Sequence, residues 1–176
     1  MKRFAVILAA LLVLGLASSA SASSEEFAKG SLFLTPQVGI TTYAIPFGIS
    51  AEFGLTPNIG IGATAMFQLW SDEWWSQTLI NLSADAAYHF TQLDVEKLDL
   101  FAGASLGFSI YSWNWKSGYE DWFEGSTGSS GLYISPFLGA RYFFSPKFAA
   151  SLKTYFSIIG SYAGVGGVLG VTIRLK

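Results

Sequence analysis

Residues 98–111 read LDLFAGASLGFSIY. Leu98, Leu100, Ala102, Ala104, Leu106, Phe108 and Ile110 are apolar, and they alternate with Asp99, Phe101, Gly103, Ser105, Gly107, Ser109 and Tyr111. A period of two sustained this long is a β-strand with one apolar face. The other face is unlike that of a soluble sheet. In place of Lys and Glu it offers mainly Gly and Ser, side chains small enough for an enclosed space.

Working outward, the same alternation recurs over Leu32–Thr41, Phe47–Leu55, Ile59–Trp70, Ile80–Phe90, Leu132–Phe144, Phe148–Ile158 and Val165–Leu175. With the opening stretch these make eight strands. In each, the apolar set carries no charge, and the second set holds every charge at a strand position. Connections are expected at 43–45, 71–77, 112–130 and 159–164 on one side. On the other they fall at 56–57, 91–97 and 145–147. Pro36 and Pro136 each lack a ladder donor and are expected near bulges or strand ends.

Composition points the same way. The chain is 51% hydrophobic and only 12% charged, against roughly 25% charged in soluble domains. Yet it contains no apolar run of ~20 residues, the length of a helical span. Alternating strands closed into a barrel meet apolar solvent without such runs. The expected fold is all-β: an eight-stranded antiparallel up-and-down transmembrane β-barrel, with short turns at one end and longer loops at the other.

Residues 1–22, MKRFAVILAALLVLGLASSASA, open with Lys2 and Arg3, continue through an apolar stretch from Phe4 to Ala17, and end in Ala20-Ser21-Ala22. That is the form of a secretory signal peptide, cleaved after an A-x-A site. Residues 23–30 (SSEEFAKG) are then a short, exposed periplasmic leader, and residues 31–176 the barrel. Without the signal the chain keeps eight basic and twelve acidic side chains. A net charge of −4 argues against nucleic acid as a partner. The chain has no cysteine, which excludes thiolate metal sites, cysteine nucleophiles and disulfides.

On these strands and turns the chain resembles the small eight-stranded outer-membrane barrels of the OmpA or OmpX type, over roughly residues 31–176. Val171, Ile173 and Leu175 match the alternating final strand that barrel-assembly machinery reads in that family. The last residue is Lys176, where the family usually ends in an aromatic. The resemblance implies residence in the outer membrane of a Gram-negative cell envelope, with both termini periplasmic.

Few residues invite a chemical reading. Gly60-Ile-Gly62-Ala-Thr-Ala65 matches a dinucleotide fingerprint, but that motif needs a strand turning into a helix, and here alternation runs straight through. Asn81-Leu-Ser83 matches a glycosylation acceptor but lies in mid-strand. His89 is the sole histidine. A triad with Asp85 and a lumen serine would place it at the wrong end for chemistry on the outer leaflet, so it reads as a hydrogen-bonded structural histidine. No catalytic set, cofactor site or metal cluster is expected.

Two constellations remain. Glu52, Asp85 and Asp99 on strands two, four and five face Arg141, Lys153 and Arg174 on strands six, seven and eight. Strand two lies opposite strand six in an eight-stranded barrel. Glu52 and Arg141, each three residues from the same end of their strands, should meet, with Asp99 or Lys153 as secondary partners. Such a network fills a narrow lumen. All six tryptophans, Trp70, Trp74, Trp75, Trp113, Trp115 and Trp122, fall at or beyond the other end. With Phe123 and the acids Asp72, Glu73, Glu120, Asp121 and Glu124, against Lys116 alone, they are expected to form an aromatic, acidic extracellular patch in the loops. The expected function is structural or surface-interacting, with specific binding of an extracellular ligand in the loops. The alternative is a narrow porin-like channel for small or hydrophobic solutes. Other expected contacts are outer-membrane lipids and, during biogenesis, the barrel-assembly machinery.

Overall fold

Alternation becomes hydrogen-bonded register in the computed structural model, which describes residues 27–41, 45–93, 95–115, 127–159 and 165–176. Among them are eight strands: β1 (Leu32–Thr41), β2 (Pro46–Gly54), β3 (Ile59–Ser71), β4 (Trp75–His89), β5 (Leu98–Trp115), β6 (Thr127–Phe143), β7 (Phe148–Phe156) and β8 (Val165–Arg174). Each pairs antiparallel with its sequence neighbour, and β1 pairs with β8, so the sheet closes into a barrel. Closure removes both sheet edges and leaves the lumen to be filled by side chains. The segment expected to be a signal peptide lies outside the described residues, as does the first half of the leader, 23–26.

The two faces separate as the alternation requires. Leu106, Leu138 and Leu169 are 57%, 63% and 60% exposed on the outside, whereas Phe33, Tyr133 and Ala149 are 1%, 7% and 0% exposed within. The interior packs large rings into gaps left by glycines on neighbouring strands. A Cβ on Gly139 would strike the Phe101 ring, and one on Gly107 would strike Tyr133. The alternation of small and large fills a barrel of this width.

Three expectations change. The first is strand length. β4 begins at Trp75, β5 runs to Trp115 and β6 starts at Thr127, so the connections expected at 71–77 and 112–130 shrink to 72–74 and 116–126. Residues such as Ser76, Gln77, Ser112 and Asn114 do not alternate in polarity, yet their ladder continues through Ser76↔Asn114 and Trp75↔Trp115. At ~3.3 Å per residue, the eighteen residues of β5 span about 60 Å. Even tilted by ~40° they overshoot an apolar band roughly 25 Å tall. Above that band both faces meet water, and polarity no longer marks the strand.

The second concerns the prolines. Pro136 lies beside a bulge as expected: the pairing Phe137↔Tyr155 gives way to an isolated bridge Ile134↔Ile159, one residue out of register. Pro36, however, is in mid-strand, opposite Ile49. There the β1–β8 ladder passes from Leu34↔Ile173 to Gln37↔Gly170. The side chains of Thr35 and Thr172, hydrogen-bonded at 2.9 Å, bridge that interval.

The third is the leader. Its described end is not exposed throughout: Phe27 is 3% exposed and clusters with Phe33, Phe143 and Ala149 inside the mouth of the barrel. A bulky apolar ring beside an open, ring-lined mouth gains more by entering than by staying in water.

Candidate functional site

Strand parity alone places Glu52, Asp85, His89, Asp99, Arg141, Lys153 and Arg174 on the inward face, because each lies an even number of residues from buried neighbours on its own strand. Asp99 and Arg141 are direct cross-strand partners on β5 and β6, and His89 of β4 pairs with Phe101. These registers bring four side chains to one level near the end that carries both termini. His89 Nδ1 lies 2.7 Å from Asp99 Oδ1, and its Nε2 lies 2.8 Å from Glu52 Oε1. The Arg141 guanidinium donates through Nη2 to Glu52 Oε2, and its Nη1 lies 3.3 Å from Asp99 Oδ2. The result is a closed ring, Glu52–His89–Asp99–Arg141, in which acidic and basic groups alternate across the lumen.

Three of the ring's four members are shielded from water, and the Glu52 side chain is 16% exposed toward the lumen cavity. His89 is 0% exposed, and Asp99 and Arg141 are each 4% exposed. Phe27 stacks flat on the His89 imidazole, with centroids 3.5 Å apart and planes at 4°. The Arg141 guanidinium lies over Phe33 at 4.5 Å and over Phe101 at 5.1 Å. Charges removed from water this thoroughly depend on one another, because a partner left alone has nothing to replace its hydration.

The remaining charged residues are placed differently. Asp85 accepts hydrogen bonds from Thr64 and Ser83, and Lys153 Nζ stands 3.9 Å from its Oδ2. That ammonium also lies 5.0 Å from the Phe137 ring centre. Arg174 meets the others through aromatic rings, lying over Phe143 at 4.8 Å and over Phe33 at 5.4 Å. Two small cavities flank Lys153, of about 40 and 50 Å³. Each can hold a few waters.

The geometry does not assemble a hydrolytic triad. Both nitrogens of His89 meet carboxylates, while Asp85 accepts from Thr64 and Ser83. The sequence marks His89 as a hydrogen-bonded structural histidine, but not as a member of the charge network. The signal was available: His89 belongs to the same inward set as Asp85 and stands nearly level with Asp99 across the hairpin. Nothing in the polar leader marked Phe27 beyond its being the one large apolar residue there.

At the other end, the tryptophans occupy strands as well as loops. Trp70, Gln77 and Trp113 form one cross-strand row over β3, β4 and β5, and Trp75↔Trp115 forms the next row out. This corrects the expectation that Trp75, Trp113 and Trp115 lie in loops. All four rings share the parity of lumen-facing residues, so they face the barrel axis. An aromatic girdle would face lipid instead. Trp75 and Trp113 are 6.3 Å apart, and Trp113 and Trp115 meet edge-on at 4.5 Å. The turn beyond them carries Asp72, Glu73 and Trp74, all exposed. It is closed by a hydrogen bond from the Asp72 amide to the Trp75 carbonyl at 2.9 Å. Glu120, Asp121, Trp122, Phe123 and Glu124 lie outside the described residues.

A closed eight-stranded barrel of this size can be set beside known structures. No family model matches the chain, and no curated protein matches it. Among solved structures it is similar to the N-terminal β-barrel domain of Pseudomonas aeruginosa OprF, at 20% identity and a TM-score of 0.61, over 84% of this chain and 98% of that one. The chain has the fold of the small outer-membrane β-barrels. It is also similar to Ail, the attachment invasion locus protein of Yersinia pestis, at 12% identity and a TM-score of 0.52, over 83% of this chain and 98% of that one. A de novo designed transmembrane β-barrel matches at 12% identity and 0.53, over 84% and 97%. That a designed barrel fits about as well as Ail shows that the fold by itself carries no function.

Proposed function

We propose that this chain is an integral outer-membrane β-barrel, with both termini periplasmic, that holds an interaction surface at its outer mouth. The observation that carries this reading is the closed ring Glu52–His89–Asp99–Arg141, which favours a lumen occupied by side chains over a passage. With the lumen so filled, a specific role falls to the outer end. On this reading the chain is not an enzyme, since the carboxylates at both nitrogens of His89 leave neither free to take a proton from a hydroxyl.

The partner is a cationic polypeptide. Rigid tryptophan rings are typical contact anchors, they attract cations over their faces, and the adjoining Asp72 and Glu73 favour positive charge. Ail has been solved with sucrose octasulfate, a heparin analogue. The acids beside these tryptophans argue for the opposite sign of ligand here. Outer-membrane lipids contact the apolar exterior, and the alternating Val171, Ile173 and Leu175 suit the assembly machinery. The test is binding by the whole protein in lipid nanodiscs. A lysine-rich peptide should bind and be displaced by salt, and a heparin fragment should not. Binding of heparin but not of the peptide would overturn the assignment.

A second reading, a narrow channel, draws on the two cavities beside Lys153. It requires the ring beneath them to open.

A further inference from the structure

We infer that the turn Phe27–Ser31 is a stopper, built into the chain, that closes the barrel end carrying both termini and seals the His89 cluster from that side. Calling this end periplasmic rests on the proposed orientation; the stopper and its test do not.

Within residues 23–30 the only large apolar side chain is Phe27, among serines, glutamates, a lysine and small residues. A tail that merely entered water would have no use for it. The chain is instead turned back into the barrel by specific bonds. The Ala28 carbonyl accepts from the Ser31 amide at 3.2 Å and from the Ser31 hydroxyl at 2.6 Å. Gly30 takes φ +84°, the left-handed region that glycine enters at little cost. The turn is then fastened to the end of β2: the Gly30 amide donates to the Gly54 carbonyl at 2.7 Å, and the Gly54 amide donates to the Ser31 carbonyl at 2.9 Å. Gly54 is itself required by this contact, because a Cβ there would run into the Ala28 carbonyl oxygen.

So held, the Phe27 ring covers one face of His89, which is fully buried. The imidazole nitrogens are occupied by Asp99 and Glu52. One face meets Phe101, tilted by 34° at 5.4 Å, and Phe27 lies flat on the ring at 3.5 Å. Phe33 extends the floor, 6.1 Å from Phe27. The stopper thus keeps water off buried charges whose mutual attraction depends on its absence.

His89 is the only histidine, so its modification by diethyl pyrocarbonate reads this one site. The whole protein, purified from membranes into detergent and still heat-modifiable on gels, is labelled beside three variants. In the wild type His89 should label far more slowly than free imidazole. Phe27→Ala removes the ring, and Gly54→Ala displaces the turn without touching Phe27. Each should speed labelling about tenfold or more, as expected when a local closure is lost, while Phe27→Leu, which keeps the bulk, should stay near wild type. Wild-type labelling at the rate of free imidazole would overturn the stopper. So would unchanged rates in both alanine variants, or acceleration by Phe27→Ala alone, since the ring would then be held without the turn. If Phe27→Ala does not form a heat-modifiable barrel, Gly54→Ala decides the question.

Discussion

The two ends of this barrel obey different rules. Near the termini, every inward side chain competes for a closed volume: Phe33, His89, Asp99 and Arg141 are all buried and interlocked. At the opposite end, β3 to β6 run past an apolar band roughly 25 Å tall, and Trp70 is 46% exposed although it faces the axis. The first region is specified by packing and charge balance. The second is specified by the hairpin ladder alone, which carries side chains without enclosing them. The contrast separates a part of the molecule that cannot change cheaply from a part that can, and a binding surface belongs in the latter.

The largest effect that would test this contrast is at the ring. Arg141→Ala leaves Glu52 and Asp99 facing each other with only His89 between them, and should cost ~3–5 kcal/mol in urea unfolding from lipid vesicles. A cost under ~1 kcal/mol would mean that water reaches the ring freely. Next comes the outer face of the same half. Leu138→Arg puts a charge among acyl chains and should cost ~2–4 kcal/mol. Ser105→Arg, on the lumen face, should act by crowding instead. If the Leu138 variant unfolds like the wild type, the inside–outside assignment fails. Smaller again is Gly139→Ala, whose methyl meets the Phe101 ring. Overpacking there should cost ~1–3 kcal/mol. Smallest in stability is Trp113→Ala at the mouth, within about 1 kcal/mol of wild type. It should nevertheless weaken the lysine-rich peptide severalfold. A variant that loses stability but keeps binding would reverse the roles assigned to the two ends.

The same contrast explains what could be read in advance. Period-two alternation located all eight strands and the level at which Glu52 meets Arg141, because in the membrane the two faces of a strand see different surroundings. It failed at Ser76, Gln77 and Ser112, where both faces see water, and so it placed Trp75, Trp113 and Trp115 in loops. Parity could have assigned those rings to the axis side, had the strands been extended. His89 was legible as inward-facing but not as a bridge, since that depends on the stagger between β4 and β5. Phe27 was illegible, because only the barrel mouth gives a lone ring somewhere to go.

The central claim is that the lumen is filled and the outer mouth does the work. Recording from the purified protein in a planar bilayer tests it most directly. The account predicts a silent membrane after insertion, with Arg141→Ala more prone than wild type to brief openings. A steady, salt-dependent conductance from the wild-type protein would contradict it.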